Sequence, residues 1–297
     1  MGGASYSFSN RELRSHSLGY KTKGRDDIFE QNKKRRIHEQ MDPQGVVIRE
    51  SRDSENHPLS IPIIIALDLT GSMGHIPHEL VKEGLPKIMS GIIQHGIPDP
   101  QVLFLGVGDH ECDKAPLQIS QFESGDEELD MWLTRTYIES GGGANAGESY
   151  GLAHYFAATH CVTDNWEKRN QKGLLFTIGD EPNLKSYPST ALKEITGNGD
   201  VATFTDKQIL EKAQEKWEVY HIMPGKETRG ARDYWKDLLG QNLIWVDKSE
   251  MVADAIRDIV IAQATAQMEN STVQVITDSV ASVDIPSTSG DAPNIML

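Results

Sequence analysis

Cysteine is almost missing from this chain. Two residues, Cys112 and Cys161, stand among 297. That is too few for a disulfide framework, so the composition predicts reduced thiols and a cytoplasmic protein. Long apolar runs are missing too. None approaches the roughly 20 residues that a membrane-spanning helix needs, and mean hydropathy is −0.45. Met1 to Asn10 lacks the charged-then-apolar order of a secretory signal. No repeat of fixed period is apparent. Positive charge is in short supply: 29 Lys and Arg against 44 Asp and Glu leave a net −15. The deficit is uneven. Residues 1–57 hold eleven Lys/Arg and nine Asp/Glu, a balance of +2, so the other 240 residues carry −17. An acidic body disfavours nonspecific binding to nucleic acid, where phosphate contacts supply most of the affinity. It favours cations and basic partner surfaces. The length suits one large domain or two small ones.

What is present is organised around Ile61-Pro62-Ile63-Ile64-Ile65-Ala66-Leu67-Asp68-Leu69-Thr70-Gly71-Ser72-Met73-Gly74. The run Ile63 to Leu67 has the length and β-branched content of a strand covered on both faces. Asp68, Thr70 and Ser72 follow at a spacing of two, which sends their oxygens to one side of an extended segment. Gly71 and Gly74 allow a tight turn and close approach of a ligand. Three hard oxygens at the carboxyl end of a strand suit Mg²⁺, Ca²⁺ or Mn²⁺ rather than a thiophilic metal.

Two further strands end in acid. Val102 to Gly108 runs into Asp109-His110-Glu111-Cys112-Asp113, and Gly173 to Gly179 runs into Asp180-Glu181-Pro182-Asn183. Ligands of an open parallel sheet sit at the carboxyl ends of its strands, which places Asp109 beside Asp68. Between them, Gly141-Gly142-Gly143-Ala144-Asn145-Ala146-Gly147-Glu148-Ser149 precedes the helical pattern of Tyr150 to Ala158. Taken alone, this stretch reads as a connector or as a phosphate cradle. No Gly-Lys-Ser/Thr follows, which argues against a nucleotide P-loop. His75 and His78 read as helix-start residues, since no further ligand nearby completes a zinc set.

Asp68-Leu69-Thr70-Gly71-Ser72-Met73 resembles the first metal-binding motif, Asp-x-Ser/Thr-x-Ser, of von Willebrand factor A (VWA) domains. These carry a metal-ion-dependent adhesion site (MIDAS) on a doubly wound sheet. The glycine-rich stretch lies where that family has its second motif. The usual Thr is missing there, with Asn145 the nearest oxygen donor and Glu148 displaced by one residue from the Glu of the longer form. Gly179-Asp180-Glu181-Pro182 resembles the third motif, usually Thr-Asp-Gly-Glu-Pro. The resemblance covers about residues 60–262, and the motif combination is similar to bacterial and phage proteins of this type. It implies an α/β fold with a mostly parallel central sheet flanked by helices. It also implies a metal site of Asp68, Thr70, Ser72, Asn145 and Asp180, with Asp109, Glu148 and Glu181 as supporting or alternate residues. Thr70 and Ser72 would touch the ion, and Asp68 would act mostly through water. The implied cofactor is a divalent cation, Mg²⁺ before Mn²⁺ or Ca²⁺. The implied partner is a protein presenting Asp or Glu and, by analogy with intracellular relatives, an AAA+ ATPase.

Outside this core, residues 1–57 read as a basic, polar N-terminal arm. It contains one helix over 26–41 that carries Lys33-Lys34-Arg35-Arg36, then a short edge strand at Val46-Val47-Ile48. The basic run suits a solvated or self-docked helix face more than a nucleic-acid patch. An amphipathic helix follows Gly74, eased at Pro86. Residues 58–268 form the expected domain, closed by a helix over 250–267. Residues 269–297, rich in Ser, Thr, Asp, Pro and Gly, read as a disordered tail.

Three functions are consistent with these features. The first is a metal-dependent protein-binding module with no catalytic nucleophile. The second is a Mg²⁺-dependent phosphohydrolase or phosphotransferase, because Asp68-Leu69-Thr70-Gly71-Ser72 also resembles the Asp-Lys-Thr-Gly-Thr motif of the haloacid-dehalogenase superfamily. Asp68 would then be the nucleophile and Asp180 a metal ligand. Thr70 stands where many soluble members have a second Asp. The third is a scaffold protein with a vestigial metal site, whose binding work falls to residues 1–57 and 270–297.

Overall fold

The computed structural model describes residues 4–97, 99–139, 147–197, 202–225 and 230–281. Six strands form the central sheet: β1 (Ile61–Asp68), β2 (Pro100–Val107), β3 (Leu117–Ile119), β4 (Gly173–Ile178), β5 (Trp217–Pro224) and β6 (Leu243–Val246). Their spatial order is β6-β5-β4-β1-β2-β3. All neighbours pair in parallel except β3, which runs antiparallel to β2 at the edge. This is the doubly wound order 3-2-1-4-5-6, and its switch point lies between β1 and β4, where ligands bind in open α/β sheets.

The sequence pattern explains why the sheet is central. Every residue of β1 is buried, because helices cover both faces. Ile63, Ile65 and Leu67 point into one core, with Leu85, Ile88, Ile92, Val252 and Ile256. Ile64 and Ala66 alternate into the other, with Leu152, Phe156, Ile209 and Trp235. Parallel register brings the strand ends level: Asp68 pairs with Val107, and Leu67 with Ile178. Asp180 therefore leaves the sheet one residue beyond the level of Asp68, and Asp109 two residues beyond it, at the same end of the strands.

The helix after Gly74 runs as His75–Glu79, a π-helical turn Leu80–Gly84, and Leu85–Gln94. The widened turn stands just before Pro86, whose missing N–H a regular helix would need.

The N-terminal region differs from the single expected helix. Residues 26–41 hold two short helices, Arg25–Ile28 and Glu30–Lys34, and a 3₁₀ turn at Glu39–Met41. Phe29 turns inward and is fully buried between them, and Arg35 takes the left-handed conformation at φ 52°. A new helix, Phe8–Leu18, precedes them. It docks by burying Arg11 against Asp130 at 2.8 Å, and Arg14 bonds both Asp126 and Asp130. Lys33 and Lys34 are exposed and pair locally with Asp27 and Glu30. The edge strand expected at Val46 to Ile48 lies three residues later. It is Arg49–Ser51, paired in parallel with Cys161–Thr163.

The last helix is also longer than expected. It runs from Val252 to Ala281, so the segment read as a tail from residue 269 is helical over its first part. Residues 282–297 of that segment lie outside the described residues. Among the described residues, no helix is long and apolar enough to cross a membrane.

Candidate functional site

Asp68 closes β1 and is buried. Its Oδ1 accepts the backbone N–H of Thr70 at 2.9 Å and the Thr70 hydroxyl at 2.5 Å. Its Oδ2 accepts the hydroxyl of Tyr150 at 2.7 Å. The loop then turns outward. Thr70 stays buried while Ser72 is exposed, and Ser72 donates to Asp180 Oδ1 at 3.1 Å. That bond joins residues 108 positions apart across the switch point. The structure thus brings Asp68, Thr70, Ser72 and Asp180 together. Asn145 lies outside the described residues.

Glu148 is buried beside the loop after β4. Its backbone is clamped to the loop after β4: its N–H donates to Pro182 O, and its carbonyl accepts from Leu184 N–H, each at 2.9 Å. Its neighbour Ser149 accepts the His110 N–H and meets His110 Nδ1 at 2.7 Å, which ties the loop after β2 to the same place. Asp109 there is fully buried, and its Oδ1 accepts the Glu111 N–H. Asp109 Oδ2 and Glu148 Oε2 are buried with no hydrogen-bond partner. Glu181 contributes its carbonyl to the fold, accepting from Trp235 Nε1 at 3.0 Å.

The electrostatics follow from this crowding. Burial, opposed by the bonds from Thr70 and Tyr150 and reinforced by Asp180, pushes the Asp68 carboxyl up to about 6. Burial and the charges of Asp68, Asp113, Asp109 and Glu181 push Glu148 up to about 9. Burial also raises Asp113. Burial and neighbouring like charges disfavour ionisation of Asp68, Asp113 and Glu148, and a bound cation would offset that penalty.

The donors fit a hard divalent ion: two hydroxyls and carboxylates, with no thiolate among them. Among the described residues, no three His, Cys, Asp or Glu side chains converge closely enough to hold a metal by themselves. A site here depends on the hydroxyls of Thr70 and Ser72. His75 serves the loop, its Nδ1 lying 3.0 Å from Ser72 O.

Sequence reasoning missed Tyr150, the residue that holds Asp68 from behind. A hint was available in Gly179. A Cβ there would lie 1.8 Å from the Tyr150 hydroxyl, so the glycine before Asp180 is what lets Tyr150 reach Asp68. It also missed His221 and Trp235, which stack with ring centroids 3.8 Å apart behind the loop after β4. Each reads in sequence as an ordinary core residue.

No family model and no curated protein matches the chain. Solved structures do. Proximal thread matrix protein 1 from the mussel byssus, in a form with a zinc-occupied MIDAS motif, aligns at 12% identity and TM-score 0.45, over 69% of this chain and 48% of that one. The pilus adhesin SpaC from Lactobacillus rhamnosus GG aligns at 12% identity and TM-score 0.47, over 75% and 31%. The SpRpn10 VWA domain aligns at 12% and 0.40, over 67% and 94%. The chain spans about half the length of the mussel protein and about a third of the adhesin. The chain's own topology makes the assignment: sheet order 3-2-1-4-5-6, one antiparallel edge strand, and an oxygen-rich loop after the first strand facing the acid after the fourth describe a VWA-like fold.

Proposed function

We propose that this chain is a metal-dependent protein-binding module that captures an Asp or Glu of a partner through a divalent cation. One observation carries the reading: Ser72 Oγ and Asp180 Oδ1 meet at 3.1 Å across the switch point. Thr70, Ser72 and Asp180 would hold the ion, and Asp68 would support it from behind. Mg²⁺ is the ion we favour. Neutral hydroxyl ligands leave such an ion electrophilic, which suits capture of an outside carboxylate. The acidic body favours this cation-first order, since bare carboxylates would repel an acidic partner. The setting we propose is an intracellular assembly in the cytoplasm, with an AAA+ ATPase as the analogous partner class. A chain with only two cysteines suits a reducing compartment.

The role is non-enzymatic in this reading. A phosphohydrolase would need Asp68 as nucleophile. Here Asp68 is buried, and both of its oxygens accept hydrogen bonds from Thr70 and Tyr150. Calorimetric titration with Mg²⁺ and Mn²⁺, on wild type and Asp68→Ala, tests the proposal when followed by a generic phosphatase assay. Binding lost in the variant with no turnover supports it. Turnover that depends on Asp68 overturns it.

A further inference from the structure

The two carbonyls that flank Asp180 are each tied to an aromatic ring. His221 Nε2 lies 3.2 Å from Gly179 O, and Trp235 Nε1 donates to Glu181 O at 3.0 Å. A carbonyl only accepts, so Nε2 carries the imidazole proton. Burial holds the ring neutral by driving its pKa well below the usual value. His221 Nδ1 is therefore the acceptor for the Thr177 hydroxyl at 2.8 Å. The two rings stack with planes 12° apart. Tyr150 packs edge-on against both, at 5.1 Å from His221 and 5.6 Å from Trp235, and its hydroxyl holds Asp68. All three side chains are fully buried. They come from three elements: the start of the helix Gly151–His160, β5, and the helix Ala231–Leu239.

We propose that Tyr150, His221 and Trp235 are positioning residues that lock the distance between Asp68 and the Gly179–Glu181 turn, and that this rigidity selects Mg²⁺ over Ca²⁺. The proposal rests on the metal-dependent reading above. Its physical basis is the difference between the two ions. Mg²⁺ demands near-octahedral oxygen at about 2.0–2.1 Å, whereas Ca²⁺ takes more ligands at about 2.3–2.6 Å in flexible geometry. A turn pinned at the carbonyls on both sides of its carboxylate resists opening by those few tenths of an ångström. Asp68 cannot retreat either, because Tyr150 and Thr70 hold both of its oxygens.

The test uses the full chain as wild type, Tyr150→Phe and Trp235→Phe. Each variant keeps an aromatic ring and loses one donor. Metal-free protein is titrated with Mg²⁺ and, separately, with Ca²⁺ by calorimetry, and melting temperature is recorded alongside. The expected result is a fall of about tenfold or more in the Mg²⁺:Ca²⁺ affinity ratio in both variants, with Ca²⁺ binding kept. A general loss of stability would not produce that change in ratio. If Trp235→Phe fails to fold, Tyr150→Phe, which removes a single hydroxyl, decides the matter. An unchanged ratio with wild-type Mg²⁺ binding intact overturns the positioning role alone. A wild type that binds neither ion overturns the metal-dependent reading and this inference with it.

Discussion

Ser72 and Asp180 are joined by a hydroxyl–carboxylate bond of 3.1 Å, although they leave different strands and stand 108 residues apart. The pairing matters because Ser72 is exposed and supports no core contact, so its orientation is available to a ligand. Ser72→Ala is expected to leave the melting temperature within about a degree, since surface substitutions away from special features cost little. It should weaken Mg²⁺ or Mn²⁺ binding at least about tenfold, roughly 1.4 kcal/mol. Parallel calorimetry and thermal melts read both effects.

Glu148 predicts a stability gain. Its pKa is pushed up to about 9 by burial and four neighbouring carboxylates. A raised carboxyl contributes stability that is present below its unfolded value and is lost as pH rises through the folded one. Wild type should therefore lose ground to Glu148→Gln between about pH 5 and pH 9. At pH 8 without metal, the variant should be more stable by about 1–3 kcal/mol, the usual scale for relieving an unsatisfied buried group. Differential scanning calorimetry across that range checks the sign.

His154 gives the opposite pH dependence. It is fully buried, neither ring nitrogen has a hydrogen-bond partner, and burial lowers its pKa to about 4. Asp206 opposes that shift only partly, and His154 itself helps depress its neighbour His221. The unfolded chain binds this proton from about pH 6.5 and the folded chain only near pH 4, so stability falls as pH drops through that interval. His154→Phe should widen its lead over wild type by about 2 kcal/mol between pH 7 and pH 4.5. Urea melts at the two pH values measure the difference.

The N-terminal helix makes a further prediction through Arg11. Its guanidinium pairs with Asp130 at 2.8 Å, both groups almost fully buried, and also donates to Val81 O in the π-helical turn. Removing Arg11 leaves the buried Asp130 with Arg14, which it shares with Asp126, as its remaining counterion, and breaking a buried pair from one side costs up to about 3–5 kcal/mol. Arg11→Ala should lower stability by that order in a denaturant melt, and Arg11→Ala with Asp130→Leu should recover part of it. A neutral Arg11→Ala would mean that the segment is only loosely docked.

The sheet was legible because its strands are short apolar runs with β-branched residues, stopped by glycine, proline or acid. Ile61–Asp68, Gly173–Ile178 and Trp217–Pro224 announce themselves that way. Asp68, Thr70, Ser72 and Asp180 were readable for the same reason, since a strand end in a parallel sheet fixes where its loop points. The N-terminal region was misread because a continuous helix leaves Phe29 without a core. Tertiary burial of Phe29 and Met41 outweighed local propensity and broke the helix at Phe29 and Arg35. The Ser- and Thr-bearing residues 271–281 read as tail by composition, yet they continue a helix already nucleated by Val252 to Ala264, and extension costs less than initiation. Tyr150, His221 and Trp235 were illegible as a group. Their spacing in the chain carries no pattern, and only the folded sheet stacks them behind Asp180.

The most direct test of the central claim is anomalous diffraction from crystals of the full chain grown with saturating Mn²⁺. The account predicts a manganese peak within coordination distance of the hydroxyls of Thr70 and Ser72 and the carboxylate of Asp180. A saturated crystal with no peak between those groups, or with peaks only elsewhere, would contradict it.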